Sequence, residues 1–388
     1  MRATTRATTE PWHPAARARV RAGWRVRNDN GDDARPSDAD IPPLPPPPLP
    51  FADTQLAPPA PRFGAYLVHD KLGDGGLSIV HRATAAHAER LGVAKPLALK
   101  RLRAGFAAEW ELVEAFLREA QIGHQLRHVN VARTYDYGRH DGTYYAATEL
   151  VRGPSLAHVV AQCHSAAGAM PTPVAVEIVL QILDALDHLH TATPAIIHRD
   201  VTPTNFLVTA AGRVKLVDLG VAKTAARRQT ARGILKGTAA YMAPEYLGGE
   251  LDARADLFGA GVILHELLSG RALFAADSDV QTMRNVRRKI IQRPSRWAAE
   301  VPFDLDDIVL LALQRDPARR WQSASAMRFA LTTLATRLGG RDACQHAVRE
   351  WLAWAFARAP RHDTSAVQRL VASLADEDRH IARAHRAP

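Results

Sequence analysis

The sequence predicts an α+β fold of two lobes, a small β-rich lobe followed by a larger helical one. Three observations predict it. From Phe63 onward, short apolar runs alternate with turn residues, as in "FGAYLVHDKLG", "SIVHRATA", "PLALKRL" and "TYYAATELV", the pattern of short strands. After Gly153 the periodicity becomes helical, in "PVAVEIVLQILDALDHLH" and "DLFGAGVILHELLSG". Strands first and helices afterwards segregate the two kinds of element. A crevice between two such lobes is where a ligand would sit.

Composition sets the bounds. The 388 residues exceed one ordinary domain, and 47% hydrophobic residues suffice for a sizeable core. Cys163 and Cys344 are the only cysteines, and two cysteines make no disulfide framework and no four-ligand metal site, which fits a reducing compartment. No apolar run reaches the roughly 18 residues of a membrane span; "FGAGVILHELL" is cut by His265 and Glu266. The N-terminus lacks the apolar segment of a secretory signal. The expectation is a soluble, cytoplasmic chain with no membrane partner. A formal net charge of +10 and a pI near 10.0 are compatible with nucleic acid, a membrane surface or acidic substrates. The arginines are scattered without regular aromatic interleaving, so no nucleic-acid partner is expected.

In chain order, residues 1–62 read as a disordered basic and proline-rich tail. "RATTRATTEPWHPAARARVRAGWRVRN" has no clean apolar period, and a basic tail is favoured over a transit peptide. "IPPLPPPPLP", residues 41–50, suits polyproline II because proline fixes φ and lacks an N–H. It reads as a stiff spacer, with a proline-recognition partner as the alternative. Between the first two long strands lies "KLGDGGLSIV". Gly73 and Gly75 let the backbone approach a phosphate. A dinucleotide fingerprint would need a helix next; "SIVHRATA" continues as a strand, which favours a strand–loop–strand flap over that motif. Lys100, flanked by Ala98 and Leu99, is expected to point into the crevice, where it needs an anion. A phosphate or Glu119, on the helix "WELVEAFLREAQIGHQL", would serve. "RHDG" before Thr143 reads as a hairpin turn.

"IIHRDVTPTNFLV" brings Asp200 and Asn205, and "VKLVDLGVAK" brings Asp218 at a strand end, followed by Gly220 in a turn. Asn205 and Asp218 offer oxygen ligands suited to Mg²⁺ held largely by phosphates. Asp200 is then left to orient a hydroxyl and accept its proton. Together these residues make a kit for moving a phosphoryl group from ATP to a hydroxyl, where positioning and charge neutralisation do most of the catalysis. Beyond residue 337, "GGRDACQHAVREWLAWAFARA" and "TSAVQRLVASLADE" read as helices. Val367, Leu370, Val371 and Leu374 share one face of the second. A pair of helices packing on the preceding lobe is favoured over a partner-binding helix.

Taken in order, these motifs resemble the protein kinase family, specifically a bacterial-type soluble member of the eukaryotic-like (Hanks-type) serine/threonine kinases. The resemblance covers residues 63–337 and implies a protein-kinase-like two-lobed fold, with 338–388 as a helical C-terminal extension. It implies that the flap (Leu72, Gly73, Asp74, Gly75, Gly76, Leu77, Ser78, Ile79, Val80), Ala98 and Lys100 surround the nucleotide. It puts Thr148 behind the adenine and the backbones of Glu149 and Val151 at its edge. It implies Lys100, Glu119 and Asp200 as catalytic residues, Asn205 and Asp218 as Mg²⁺ ligands, Asp256 in "DLFGAG" as an anchoring acid, and a pair between Glu245 of "YMAPE" and Arg320 of "RDPARRWQSA". A serine/threonine protein kinase with ATP, Mg²⁺ and a protein substrate is expected, with autophosphorylation at Thr224 or Thr230 opposite Arg199. An ATP-binding pseudokinase scaffold is the alternative. A small-molecule kinase is disfavoured by the long segment ending in "APE". The sequence departs from the family at Thr202, where serine/threonine members carry Lys, although Pro203 and Thr238 fit that class. It also departs at Ser78, Leu219 and Gly123; the last two predict looser packing.

Overall fold

The computed structural model describes residues 61–86, 95–163, 168–220, 238–247 and 251–357. The tail up to residue 60, Thr224, Thr230 and the helix expected over 364–377 lie outside the described residues.

The first lobe is a six-stranded sheet in the order β1-β2-β3-β4-β6-β5, antiparallel throughout. The strands are β1 (Arg62–Phe63), β2 (Tyr66–Asp74), β3 (Ser78–Ala85), β4 (Leu97–Leu102), β5 (Thr134–His140) and β6 (Thr143–Glu149). Arg62, the last residue of the expected tail, already pairs with Leu67. Asp141 and Gly142 join β5 to β6 with φ of 45° and 77°, the left-handed pair a two-residue hairpin requires, in keeping with "RHDG". Alternation along β4 sends Leu97 and Leu99 to one face, where they bury with Tyr66, Val68, Ala83 and Ala147. Leu102 goes to the other face, against Val113, Phe116 and Ala120 of helix α1 (Trp110–Gln125). Lys100 shares that second face, so strand period alone turns it toward α1. Tyr66 and Tyr145 hydroxyls both donate to Asp136, at 2.5 and 2.9 Å, tying β2, β5 and β6.

The second lobe contains α2 (Leu156–Gln162), α3 (Thr172–His190), the hairpin β7 (Phe206–Val208) and β8 (Val214–Leu216), then α4 (Arg254–Ser269), α5 (Asp279–Arg288), α6 (Phe303–Ala312), α7 (Ala324–Arg337) and α8 (Arg341–Ala357). Its centre is α4, apolar nearly all round and buried from Ala255 to Ser269. This helix ends at Gly270, φ 64°, the left-handed C-terminal cap. A Cβ on Gly259 would lie 2.8 Å from the Val201 carbonyl, so glycine lets α4 press against the 198–205 loop. Helices α3, α7 and α8 pack around one another. Cys163 and Cys344 are buried and unpaired with each other. Among the described residues, no helix is long and apolar enough to cross a membrane.

Candidate active site

Charged groups from both lobes meet at one site. Lys100 sits between Val80 of β3 and Ala146 of β6. Its Nζ donates to Glu119 Oε1 at 2.8 Å and to Asp218 Oδ1 at 3.3 Å. The sequence points to one carboxylate partner; the structure adds a second, and that ion pair joins the lobes. Burial opposes the charge, yet Asp218 and Glu119 together hold the Lys100 ammonium above its ordinary value. Burial and the Asp218 carboxylate push Glu119 upward, to about 7, with Lys100 pulling the other way.

The flap is a tight turn closed by Gly75 N–H donating to Ser78 O at 2.9 Å. A Cβ built on Gly73 meets nothing within 4 Å. No protein packing demands glycine there, whereas a phosphate lying against the backbone would. Arg103, which no motif singles out, straps this turn. Its Nε donates to Gly75 O at 2.9 Å, its backbone N–H donates to Leu77 O at 3.0 Å, and its guanidinium meets Asp74. Lys71 holds the same Asp74 at 2.9 Å.

The 198–205 loop is built around Asp256. This buried carboxylate accepts the backbone N–H groups of His198 and Arg199, each at 2.8 Å, and meets His190 Nε2 at 2.8 Å. Arg199 has φ 64°, a conformation unfavourable for a side-chain-bearing residue that Asp256 helps to hold. His198 Nδ1 accepts from Asp200 N at 3.1 Å, so the other ring nitrogen donates to Asp218 O at 2.7 Å. One imidazole tautomer thus locks the two acidic motifs together. Gly220, φ 72°, completes the lock: its Cβ would lie 2.8 Å from Asp200 Cβ and 2.9 Å from His198 O.

Asn205 Nδ2 donates to Asp200 O at 2.7 Å and to Asp200 Oδ2 at 2.8 Å, so Oδ1 is the Asn205 atom suited to a metal. Val217 N–H donates to Asn205 O at 2.9 Å, which sets Asp218 beside it. A carboxylate and an amide oxygen are hard donors, and two protein ligands leave other Mg²⁺ positions to phosphate and water; the residues fit that ion. Thr202 is buried and bonds Thr204, hydroxyl to hydroxyl, at 2.8 Å. Thr238, Tyr241 and Met242 line a small pocket of the second lobe with Arg199, Asp200 and Thr202. Beneath it, Arg320 pairs with both oxygens of Glu245, at 2.8 and 3.1 Å, as expected.

At the lobe junction, Thr148 Oγ1 donates to Ala98 O at 3.4 Å. Glu149 N–H donates to Arg133 O at 2.7 Å, its carboxylate meets Lys215 at 2.7 Å, and Val151 is buried. Gly123 corrects the expected loosening. A Cβ there would lie 2.5 Å from Thr134 Oγ1 and 3.8 Å from Leu219 Cδ1, so a threonine fills the side that the small residue leaves.

The protein kinase domain family matches residues 66–331. A probable serine/threonine-protein kinase of Streptomyces coelicolor is 36% identical over 273 residues, 68% of this chain and 39% of that one. The tyrosine-protein kinase MasK of Myxococcus xanthus is 29% identical over 304 residues, 76% of this chain and 47% of that one. The chain therefore spans less than half the length of either relative. A crystal structure of the Mycobacterium tuberculosis PknI kinase domain, in a form with one cysteine replaced by alanine, superposes with a TM-score of 0.54 at 25% identity. That match covers 72% of this chain and 100% of the other.

Proposed function

The chain belongs to the protein kinase family, and from that premise we propose that it is a serine/threonine protein kinase moving the γ-phosphoryl group of ATP to protein hydroxyls. One observation carries the reading. Lys100 is held between Glu119 and Asp218 while Asp200 is locked to Asn205, so the charged groups of phosphoryl transfer are assembled together. Glu119 aims Lys100 at the nucleotide phosphates. The backbone of the flap, Leu72 to Val80, covers those phosphates. Ala98 and the backbones of Glu149 and Val151 hold the adenine. Asn205 and Asp218 hold Mg²⁺, which when bound neutralises phosphate charge. Asp200 orients the acceptor hydroxyl and takes its proton. Thr202 positions without adding charge.

Preference for serine or threonine is supported by Pro203, Thr238 and the name of the Streptomyces relative. The Myxococcus relative carries a tyrosine-kinase name, so acceptor identity is part of the test. The same reading places the protein in cytoplasmic signalling. It makes residues 1–62 a tail whose proline run spaces or recruits a partner, 63–337 the kinase domain and 338–388 its extension. Arg199 would receive a phosphate that the enzyme adds to Thr224 or Thr230.

The test is purified full chain with γ-labelled ATP, Mg²⁺ and a generic basic protein, beside Asp200→Asn. Label transferred by the wild type, cut at least about 100-fold in the variant with nucleotide affinity kept, is the expected result. Phosphoamino-acid analysis should return phosphoserine or phosphothreonine. Nucleotide that raises the melting temperature without any transfer would overturn the activity; full activity in Asp200→Asn would overturn the role of Asp200.

A further inference from the structure

Residues 271–296 carry seven cations, Arg271, Arg284, Arg287, Arg288, Lys289, Arg293 and Arg296, against the two carboxylates of Asp277 and Asp279. All seven cations are exposed. Helix α5 turns Thr282, Met283 and Val286 inward, which leaves Arg284, Arg287 and Arg288 on its outer side. Among the described residues, Arg293 has one distant counter-ion, Asp307 at 3.9 Å, Lys289 donates to the Leu273 carbonyl and acts electrostatically on Glu266, and the other five have no acidic partner.

Stabilising α5 does not account for this surface. Arg287 and Arg288 suit the negative end of the helix dipole, but Arg284, Arg271 and Arg296 lie elsewhere. Two of the cations are also arranged. Arg271 stacks over Trp297 at 4.3 Å and Arg296 over the same ring at 5.7 Å, although Trp297 is 44% exposed. A guanidinium stacked on an aromatic ring keeps its N–H edge for a carboxylate and loses less freedom on binding. Ile290, 78% exposed, adds apolar contact. Position gives the patch its use. Helix α5 packs directly against residues 239–247, and Tyr241 and Met242 of that segment line the Asp200 pocket.

We propose that the exposed basic face of α5 and the adjoining Arg293–Trp297 turn dock an acidic segment of the protein substrate, holding its acceptor residue near Asp200. The inference rests on the kinase reading. Clustered exposed cations beside the Asp200 pocket raise the local concentration of an acidic partner.

The test uses the full chain and a charge-reversed variant, Arg284→Glu with Arg287→Glu and Arg288→Glu. A control variant of equal net charge carries Arg139→Glu, Arg319→Glu and Arg349→Glu, three exposed arginines outside the patch. Fluorescence anisotropy with a labelled twelve-residue polyglutamate should show salt-sensitive binding to the wild type and the control, weakened at least about tenfold by the reversal. The reversed patch should instead take up polylysine. With casein as acidic acceptor, reversal should raise KM about tenfold and leave kcat within about twofold. Equal loss in the control, or preference for a single-stranded oligonucleotide or anionic vesicles over polyglutamate, overturns the proposal. Polyglutamate binding without transfer to any protein overturns the kinase reading and the substrate role, a failure distinct from loss of the docking surface itself.

Discussion

At Gly123 there is no room for one more carbon. The built Cβ would overlap Thr134 Oγ1 at 2.5 Å, and Gly123 lies about one turn past Glu119 on α1. Gly123→Ala should push α1 off β5, draw Glu119 from Lys100 and cut transfer about tenfold, with about 1–3 kcal/mol of stability lost to overpacking. Removing the obstructing hydroxyl in Gly123→Ala/Thr134→Ala should recover most of both losses, a coupling that a double-mutant cycle measures. Full activity in the single variant, or no recovery in the double, would mean that Thr134 yields freely. The charged set is legible in the sequence because each member sits in a short motif with its own chemistry: Lys100 in a strand, Asp200 and Asn205 in one loop, Asp218 at a strand end. Thr134 beside Gly123 and Arg103 on the flap are not. Arg103 reaches Gly75 across 28 residues, and no local pattern encodes which distant side chain fills a gap.

Among the elements, periodicity predicts α8 but not its anchorage. The helix buries Cys344, Val348, Trp351 and Leu352 and sends Arg341 to Glu177 of α3, at 3.3 Å, and to Asp184. Glu177 is fully buried. Burial raises its carboxyl above the ordinary value, while Arg341 and Gln345 pull it back without prevailing. A raised folded-state value means that the native state keeps its proton after the unfolded chain has released its own. This group therefore withdraws stability as pH rises from the unfolded value through the folded one. Glu177→Gln, a neutral isostere, should melt higher than the wild type at about pH 8, with the gap closing toward about pH 4, where Glu177 is protonated. Thermal unfolding across that range decides it. A variant that melts lower at pH 8 would show that the Arg341 pair outweighs the burial.

On the scale of the whole molecule, a buried amide pair joins the lobes alongside the Lys100 ion pair. The loop after α1 carries Asn130, whose Nδ2 donates to Gln181 Oε1 at 3.0 Å and to Val214 O at 2.8 Å. Gln181, on α3, also accepts from Val214 N at 2.9 Å and donates to Gly212 O at 3.0 Å. Backbone bonds between Asn130, Ala132 and Leu216, each 2.8 Å, continue the seam. One end of α1 is thereby fixed to the helical lobe, while Trp110 at the other end is 66% exposed. That arrangement lets α1 pivot, and with it the Lys100–Glu119 contact, about a point set by Gln181. Gln181→Leu keeps the volume but strands Val214 N–H and Gly212 C=O, at about 1–3 kcal/mol for each buried group left without a partner. Urea unfolding should show that loss, and hydrogen exchange along α1 should quicken although the substitution lies in the other lobe. Combined with Asn130→Ala, the effects should fall short of additive by more than about 0.5 kcal/mol. Strict additivity, with α1 exchange unchanged, would move the pivot back to the ion pair at Lys100.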